Sequence, residues 1–101
     1  MAERAENNKE LQEKYMGVVY NSRNTNDKYS EIAAANVITI LNISHYTFSG
    51  KNLSNIKVPG AELAGGEFVE TDFTSADLSG VNLRSTNLSK AKFVKTKMDD
   101  V

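Results

Sequence analysis

The chain contains no cysteine. Disulfides, thiolate nucleophiles and the common structural zinc sites are thereby excluded. It has no tryptophan, one proline (Pro59) and one histidine (His45). A metal site would have to be assembled from scattered carboxylates around that one imidazole, so His45 is read as a structural residue and no metal or cofactor is expected. No apolar run approaches the roughly 18 residues of a membrane span. The opening stretch Met1-Ala2-Glu3-Arg4-Ala5-Glu6 is charged, unlike a secretory signal, which points to a cytoplasmic location and no membrane partner. Neither sign of charge dominates. Twelve Lys and Arg against thirteen Asp and Glu leave a net charge of −1, which disfavours a strongly basic nucleic-acid binder. What remains is 101 residues, 40% hydrophobic and 25% charged, the mixture of one small globular domain or a piece of a larger chain.

Two segments with different periods divide the chain near residue 45. In 1–45, Leu11, Tyr15, Val18 and Val19 fall at helical spacing and predict a helix over about 4–21. The polar run 22–27 reads as a loop, with Asp27 placed to cap a second helix over about 28–42. Apolar residues lie nearly all round that second helix, the pattern of an element buried on most faces. Its Val37-Ile38-Thr39-Ile40 stretch is also compatible with a strand, but the preceding alanines favour helix.

Residues 46–101 obey a period of five. Phe48, Leu53, Val58, Leu63, Phe68, Phe73, Leu78, Leu83, Leu88, Phe93 and Met98 are all apolar. At 40% apolar content, chance gives about 4 × 10⁻⁵ for one fixed phase, so the segment is an internal repeat. The residue before each is polar, and the residue two before is mostly small. Five matches neither the helical period nor that of a strand. Every fifth side chain returns to the interior only if the chain turns a corner in each repeat.

The units Ala76-Asp77-Leu78-Ser79-Gly80, Val81-Asn82-Leu83-Arg84-Ser85 and Thr86-Asn87-Leu88-Ser89-Lys90 resemble the pentapeptide-repeat family, whose unit is A-(D/N)-L-x-x. The resemblance implies a mostly β fold: a short right-handed quadrilateral β-helix with four pentads per coil and a little under three coils. Residues twenty apart would then share a column, placing Phe48 over Phe68 and Phe73 over Phe93. Such a stack has two open ends that need covering. The second helix is expected to cap the first coil through Ile32, Val37, Ile38 and Leu41. Tyr46, Lys51 and Ile56 depart from the small inner position in this first coil, where the packing rule relaxes, and the Lys51 ammonium is expected to reach solvent. No cap is visible for the far end, which makes Leu83, Leu88, Phe93 and Met98 the candidate interaction end. The stretches Ala34–Asn42, Phe48–Leu53 and Ile56–Leu63 further resemble a module that sits beside NACHT-type or WD-repeat domains in large bacterial proteins.

Little else in the sequence carries chemistry. Gly50-Lys51 is similar to the end of a phosphate-binding loop, but His45 stands where the loop's first glycine is needed. Asn42-Ile43-Ser44, Asn52-Leu53-Ser54 and Asn87-Leu88-Ser89 match the glycosylation sequon, a by-product of the repeat. The serines lack an adjacent base and suit corners of the coil. Glu62, Glu67, Glu70, Asp72 and Asp77 form an acidic patch, followed by a basic band of Arg84, Lys90, Lys92, Lys95 and Lys97. The expected function is a non-catalytic structural or protein-interaction module. It would dock a protein partner or an adjacent domain through its C-terminal end and polar faces, or pair with a second copy end to end as a homodimer. The alternative is a DNA mimic that binds topoisomerase, as some pentapeptide-repeat antibiotic-resistance proteins do.

Overall fold

A computed structural model describes residues 8–101. The expected start of the first helix at residue 4 lies outside the described residues. Helix α1 spans Lys9–Asn21 and is opened by Asn8, whose side chain accepts from the Leu11 N–H at 3.0 Å. The sequence places Val18 on its buried stripe. The structure buries Val19 as expected, buries Met16 in addition and leaves Val18 exposed, because α1 meets the rest of the molecule along a narrow i, i+3 line. A 3₁₀ turn, Ser22–Asn24, follows. Helix α2 spans Lys28–Ile43, and Asp27 caps it by accepting from the Ser30 N–H at 2.8 Å. The Val37–Ile40 stretch is helical.

Only one face of α2 is buried: Ala34, Ala35, Ile38 and Leu41. The expectation of burial on most faces is therefore corrected. Of the four residues assigned to the cap, Ile38 and Leu41 are fully buried and Val37 is half-buried, but Ile32 is 54% exposed. The reason is geometric. A helix lying on a flat coil end contacts it with one stripe, and position 32 falls on the opposite side.

From Phe48 on, each pentad makes one tight turn. The Lys51 N–H donates to the Phe48 carbonyl at 3.1 Å, and the same bond recurs at Ala61 to Val58, Thr71 to Phe68, Ala76 to Phe73 and onward to Ala91 to Leu88. The third residue of every turn has positive φ, from Gly50 at 73° to Asp100 at 59°, as a type II turn requires. These turns overturn the expectation of a mostly β chain. Helix accounts for 34% of the described residues and strand for 11%, and no sheet forms. A corner every five residues leaves one residue per pentad free to pair. The pairing is confined to isolated parallel bridges such as Asn52 to Asp72 and Asp72 to Lys92.

Each bridge joins residues twenty apart, so four pentads complete one coil and the coils stack directly. The Phe48 N–H donates to Glu67 O at 2.9 Å, the Gly50 N–H to Val69 O at 2.8 Å and the Asp72 N–H to Lys51 O at 3.1 Å, the three bonds that repeat between coils. Inside, the rings of Phe48 and Phe68 stack at 4.9 Å and 8°, and those of Phe73 and Phe93 at 5.3 Å and 17°. Thr71, at an inner small position, is fully buried and donates its hydroxyl to Phe48 O at 2.9 Å, which removes the cost of burying it. Helices and coil share one hydrophobic cluster, running from Met16 and Val19 through Ile38 and Leu41 to Leu78 and Val81.

The outward polar residues have a local role. Asp77 Oδ1 accepts from the Ser79 N–H at 3.0 Å and from its hydroxyl at 2.7 Å, and Asn52, Asp72, Asn82 and Asn87 act likewise on the residue two ahead. The short Asx side chain, rather than the serine, thus satisfies the corner N–H. Glu67 is one methylene too long for this turn. There the Ser49 hydroxyl of the coil above accepts from the Val69 N–H at 3.0 Å.

Candidate interaction surfaces

The two ends of the stack differ. At the first coil, upward-facing backbone groups of residues 52–64 meet side chains from the helical segment. The Lys57 N–H donates to Ser22 Oγ at 2.9 Å and the Glu62 N–H to Thr39 Oγ1 at 3.0 Å. Arg23 donates to the carbonyls of Ser54 (2.7 Å) and Asn52, and Asn42 Nδ2 donates to that of Ala64 at 2.9 Å. Lys57 Nζ returns to the Thr25 carbonyl and to Asn26 Oδ1. The cap is therefore half polar: Ile38 and Leu41 cover the apolar cross-section while Ser22, Arg23, Thr39 and Asn42 cover the backbone edge. The sequence reading missed these four polar residues. Thr39 and Asn42, three apart in the otherwise apolar stretch Val37–Ile43, carry the one signal that points to them.

Nothing comparable covers the other end among the described residues. Leu83, Leu88, Phe93 and Met98 are half-buried there, whereas Phe68, Phe73 and Leu78 one coil above are fully buried. A shallow groove of about 380 Å³, lined by Asn82, Leu83, Arg84 and Val101, opens beside this end. The structure brings all four candidate end residues into the last coil.

Charge is arranged around that end as a rim. The columns Asn52–Asp72–Lys92 and Lys57–Asp77–Lys97 put an acid of the middle coil directly above a lysine of the last coil. Acidic patch and basic band thus alternate down the same two sides. The Thr74 hydroxyl and N–H hold the Asp72 carboxyl below the ordinary aspartate range, with a smaller contribution from Lys92 beneath it. Asp27 is lowered in the same direction by the Ser30 N–H and hydroxyl. Arg84, Lys90, Lys92, Lys95 and Lys97 are exposed around the four apolar end residues. His45 stands exposed with φ of 64° at the joint between α2 and the coil. Lys51 is half-buried and sets its Nζ 5.7 Å from the Tyr46 ring centroid.

The stacking unit is five residues, four to a coil, with an Asx turn at its corners. The family described as pentapeptide repeats (8 copies) matches this chain over residues 67–101. The matched stretch contains the middle of the stack and the whole of its open end, the part with the most regular A-(D/N)-L units. No curated protein and no solved structure matches the chain. The match supports a repeat-protein interaction module and bears neither on NACHT-type nor on WD-repeat neighbours. Among the described residues, no helix is long and apolar enough to cross a membrane, and no cluster of three potential metal ligands forms.

Proposed function

We propose that the protein is a non-catalytic docking module that binds a protein partner, or an adjacent domain of a longer chain, through the open end of its stack. One observation carries this reading: four large apolar side chains, Leu83, Leu88, Phe93 and Met98, lie half-buried in the last four pentads, whose exposed charges are five basic residues (Arg84, Lys90, Lys92, Lys95, Lys97) against two acidic ones, Asp99 and Asp100. An apolar centre with a polar rim is the anatomy of a protein interface. The rim's sign selects a partner surface that is apolar in the middle and acidic around it. Two copies meeting end to end would bring two net-positive rims together, so a second copy fits this end less well than an acidic partner does. The DNA-mimic alternative has less support, because Asp72 and Asp77 each stand above a lysine and no side of the stack is uniformly acidic.

The test is site-specific photo-crosslinking in cells, with the photoreactive residue at Met98 and, as a control, at Glu67 on the side of the stack. The reading expects a discrete protein adduct from position 98 only. The adduct should be lost on Lys95→Glu with Lys97→Glu and should map to a surface with acidic residues around an apolar centre. Equal labelling from both positions, or labelling that survives charge reversal, would overturn it.

A further inference from the structure

A second apolar surface lies at the opposite end of the molecule. On α2, Tyr29, Ile32, Ile40 and Ile43 are 85%, 54%, 43% and 68% exposed, and Asn36 is exposed among them. At 100° per residue these five positions fall within one stripe about 80° wide, opposite the buried face of Ala34, Ile38 and Leu41. No residue from Ile32 to Ile43 carries a charge. The stripe is also symmetric about its middle. Ile32 and Ile40 stand four residues either side of Asn36, and Tyr29 and Ile43 stand seven either side.

From this symmetry we infer that α2 pairs with α2 of a second copy, antiparallel about a two-fold axis through Asn36. An isologous contact requires each patch to be complementary to itself under the two-fold. Antiparallel helices centred on Asn36 place Ile32 against Ile40 of the other copy and Tyr29 against Ile43 of the other copy, which fills every apolar position. The two Asn36 amides meet at the axis, where each has a donor and an acceptor for the other. A polar asparagine within an apolar seam fixes register in this way. Charge selects the same direction. Lys28 flanks the stripe at the helix N-terminus, so antiparallel pairing separates it from its copy and aligns the helix dipoles favourably. Parallel pairing would set Lys28 beside Lys28. The four apolar side chains expose on the order of 500 Å² per copy, so that pairing buries roughly 1,000 Å², at the lower limit of a specific interface. The dimer is therefore a weak, reversible one.

The absence of cysteine permits a direct test. Asn36→Cys puts two thiols at the two-fold axis, within reach of a disulfide; a parallel in-register pair would do the same, and the Tyr29→Cys and Ile43→Cys variants separate the two directions. Oxidation of that variant should give a covalent dimer at least tenfold faster than Glu10→Cys, an exposed position on α1. Tyr29→Cys with Ile43→Cys should cross-link where either single variant does not. Ile40→Glu should weaken self-association by at least tenfold in light scattering over a concentration series. Position 40 is on the solvent face, and an unchanged melting curve will confirm an intact monomer. Phe93→Glu should leave the pairing unaltered, which separates this surface from the docking end. A monomer at every concentration, or an Asn36→Cys variant that cross-links no faster than Glu10→Cys, would overturn the inference. So would a dimer lost with Phe93→Glu and retained with Ile40→Glu.

Discussion

Asn42 reaches the Ala64 carbonyl only because residue 66 is glycine. Its Nδ2 donates at 2.9 Å, and its Oδ1 would lie 2.7 Å from a Cβ placed on Gly66. The same Cβ would stand 2.4 Å from Cε2 of Phe68 and 3.0 Å from the Leu63 carbonyl. Gly66 occupies the inner small position that Ala61, Ala76 and Ala91 fill in other pentads, so repeat consensus favours alanine there. The structure requires the reverse. Gly66→Ala should destabilise the protein by about 1–3 kcal/mol, the usual range for overpacking. Asn42→Ala alone should cost about 1 kcal/mol. The double variant relieves part of the clash, so its loss should be smaller than the sum of the two single losses, read as a double-mutant cycle in urea.

The third position of each turn separates strain from space. Gly60 has φ of 76° and nothing within 4 Å of where its Cβ would be. Gly60→Ala therefore meets no steric obstacle and should still lose about 1 kcal/mol, from the left-handed backbone alone. Lys95 holds the same conformation with φ of 55°. Lys95→Gly should relieve that strain but enlarge the unfolded ensemble, for a net gain of a few tenths of a kcal/mol. Thermal melting of both variants checks the signs. No loss at Gly60 would show that φ carries no cost there and that space alone decides what an added Cβ costs.

Much of this arrangement is legible in the sequence, and the reasons differ by element. The period of five is plain because each pentad repeats the same turn, and the stacking of Phe48 on Phe68 follows once four pentads make a coil. The β content is not legible in the period. A residue every fifth position returns inward whether the chain between corners is strand or turn, and here the turn consumes it. The helices show the converse limit. Their positions are marked by Asp27 and by helical spacing, but which side of α2 faces the coil depends on tertiary contact. Ile32 and Ile38 look equivalent in composition and lie on opposite faces.

Acid should loosen the middle coil. Thr74, through its hydroxyl and then its N–H, lowers the folded Asp72 pKa below its ordinary value, with Lys92 adding to the effect. A depressed folded pKa contributes stability that is present above the unfolded pKa and is lost as pH falls through the folded one. The window therefore lies below the ordinary aspartate pKa. Asp72 is only half-buried, so solvent screens the interaction and the effect is small. Asp72→Asn keeps an oxygen for the Thr74 N–H and removes the titration. Urea midpoints of the two proteins should converge as pH falls through that window and separate above it. A constant difference at all pH values would refute the assignment.

Ser22 and Thr39 cap the same edge in different surroundings. Ser22 is buried and its hydroxyl serves twice, accepting from the Lys57 N–H at 2.9 Å and donating to Val19 O at 2.6 Å. Ser22→Ala leaves the Lys57 N–H short of a partner, while the Val19 carbonyl keeps the Ser22 backbone N–H, for a cost of about 1–3 kcal/mol. The Thr39 hydroxyl also serves twice, donating to Ala35 O at 2.8 Å and accepting from the Glu62 N–H at 3.0 Å, but the latter bond is exposed and water replaces the lost hydroxyl. Thr39→Val should cost under about 1 kcal/mol. Hydrogen exchange distinguishes the two mechanisms. In Ser22→Ala the Lys57 amide should exchange faster along with its neighbours in the first coil, because the loss opens the cap. In Thr39→Val the change should be confined to the Glu62 amide. No loss of stability in either variant would mean that the helices hold the coil by apolar contact alone and that the polar half of the cap is incidental.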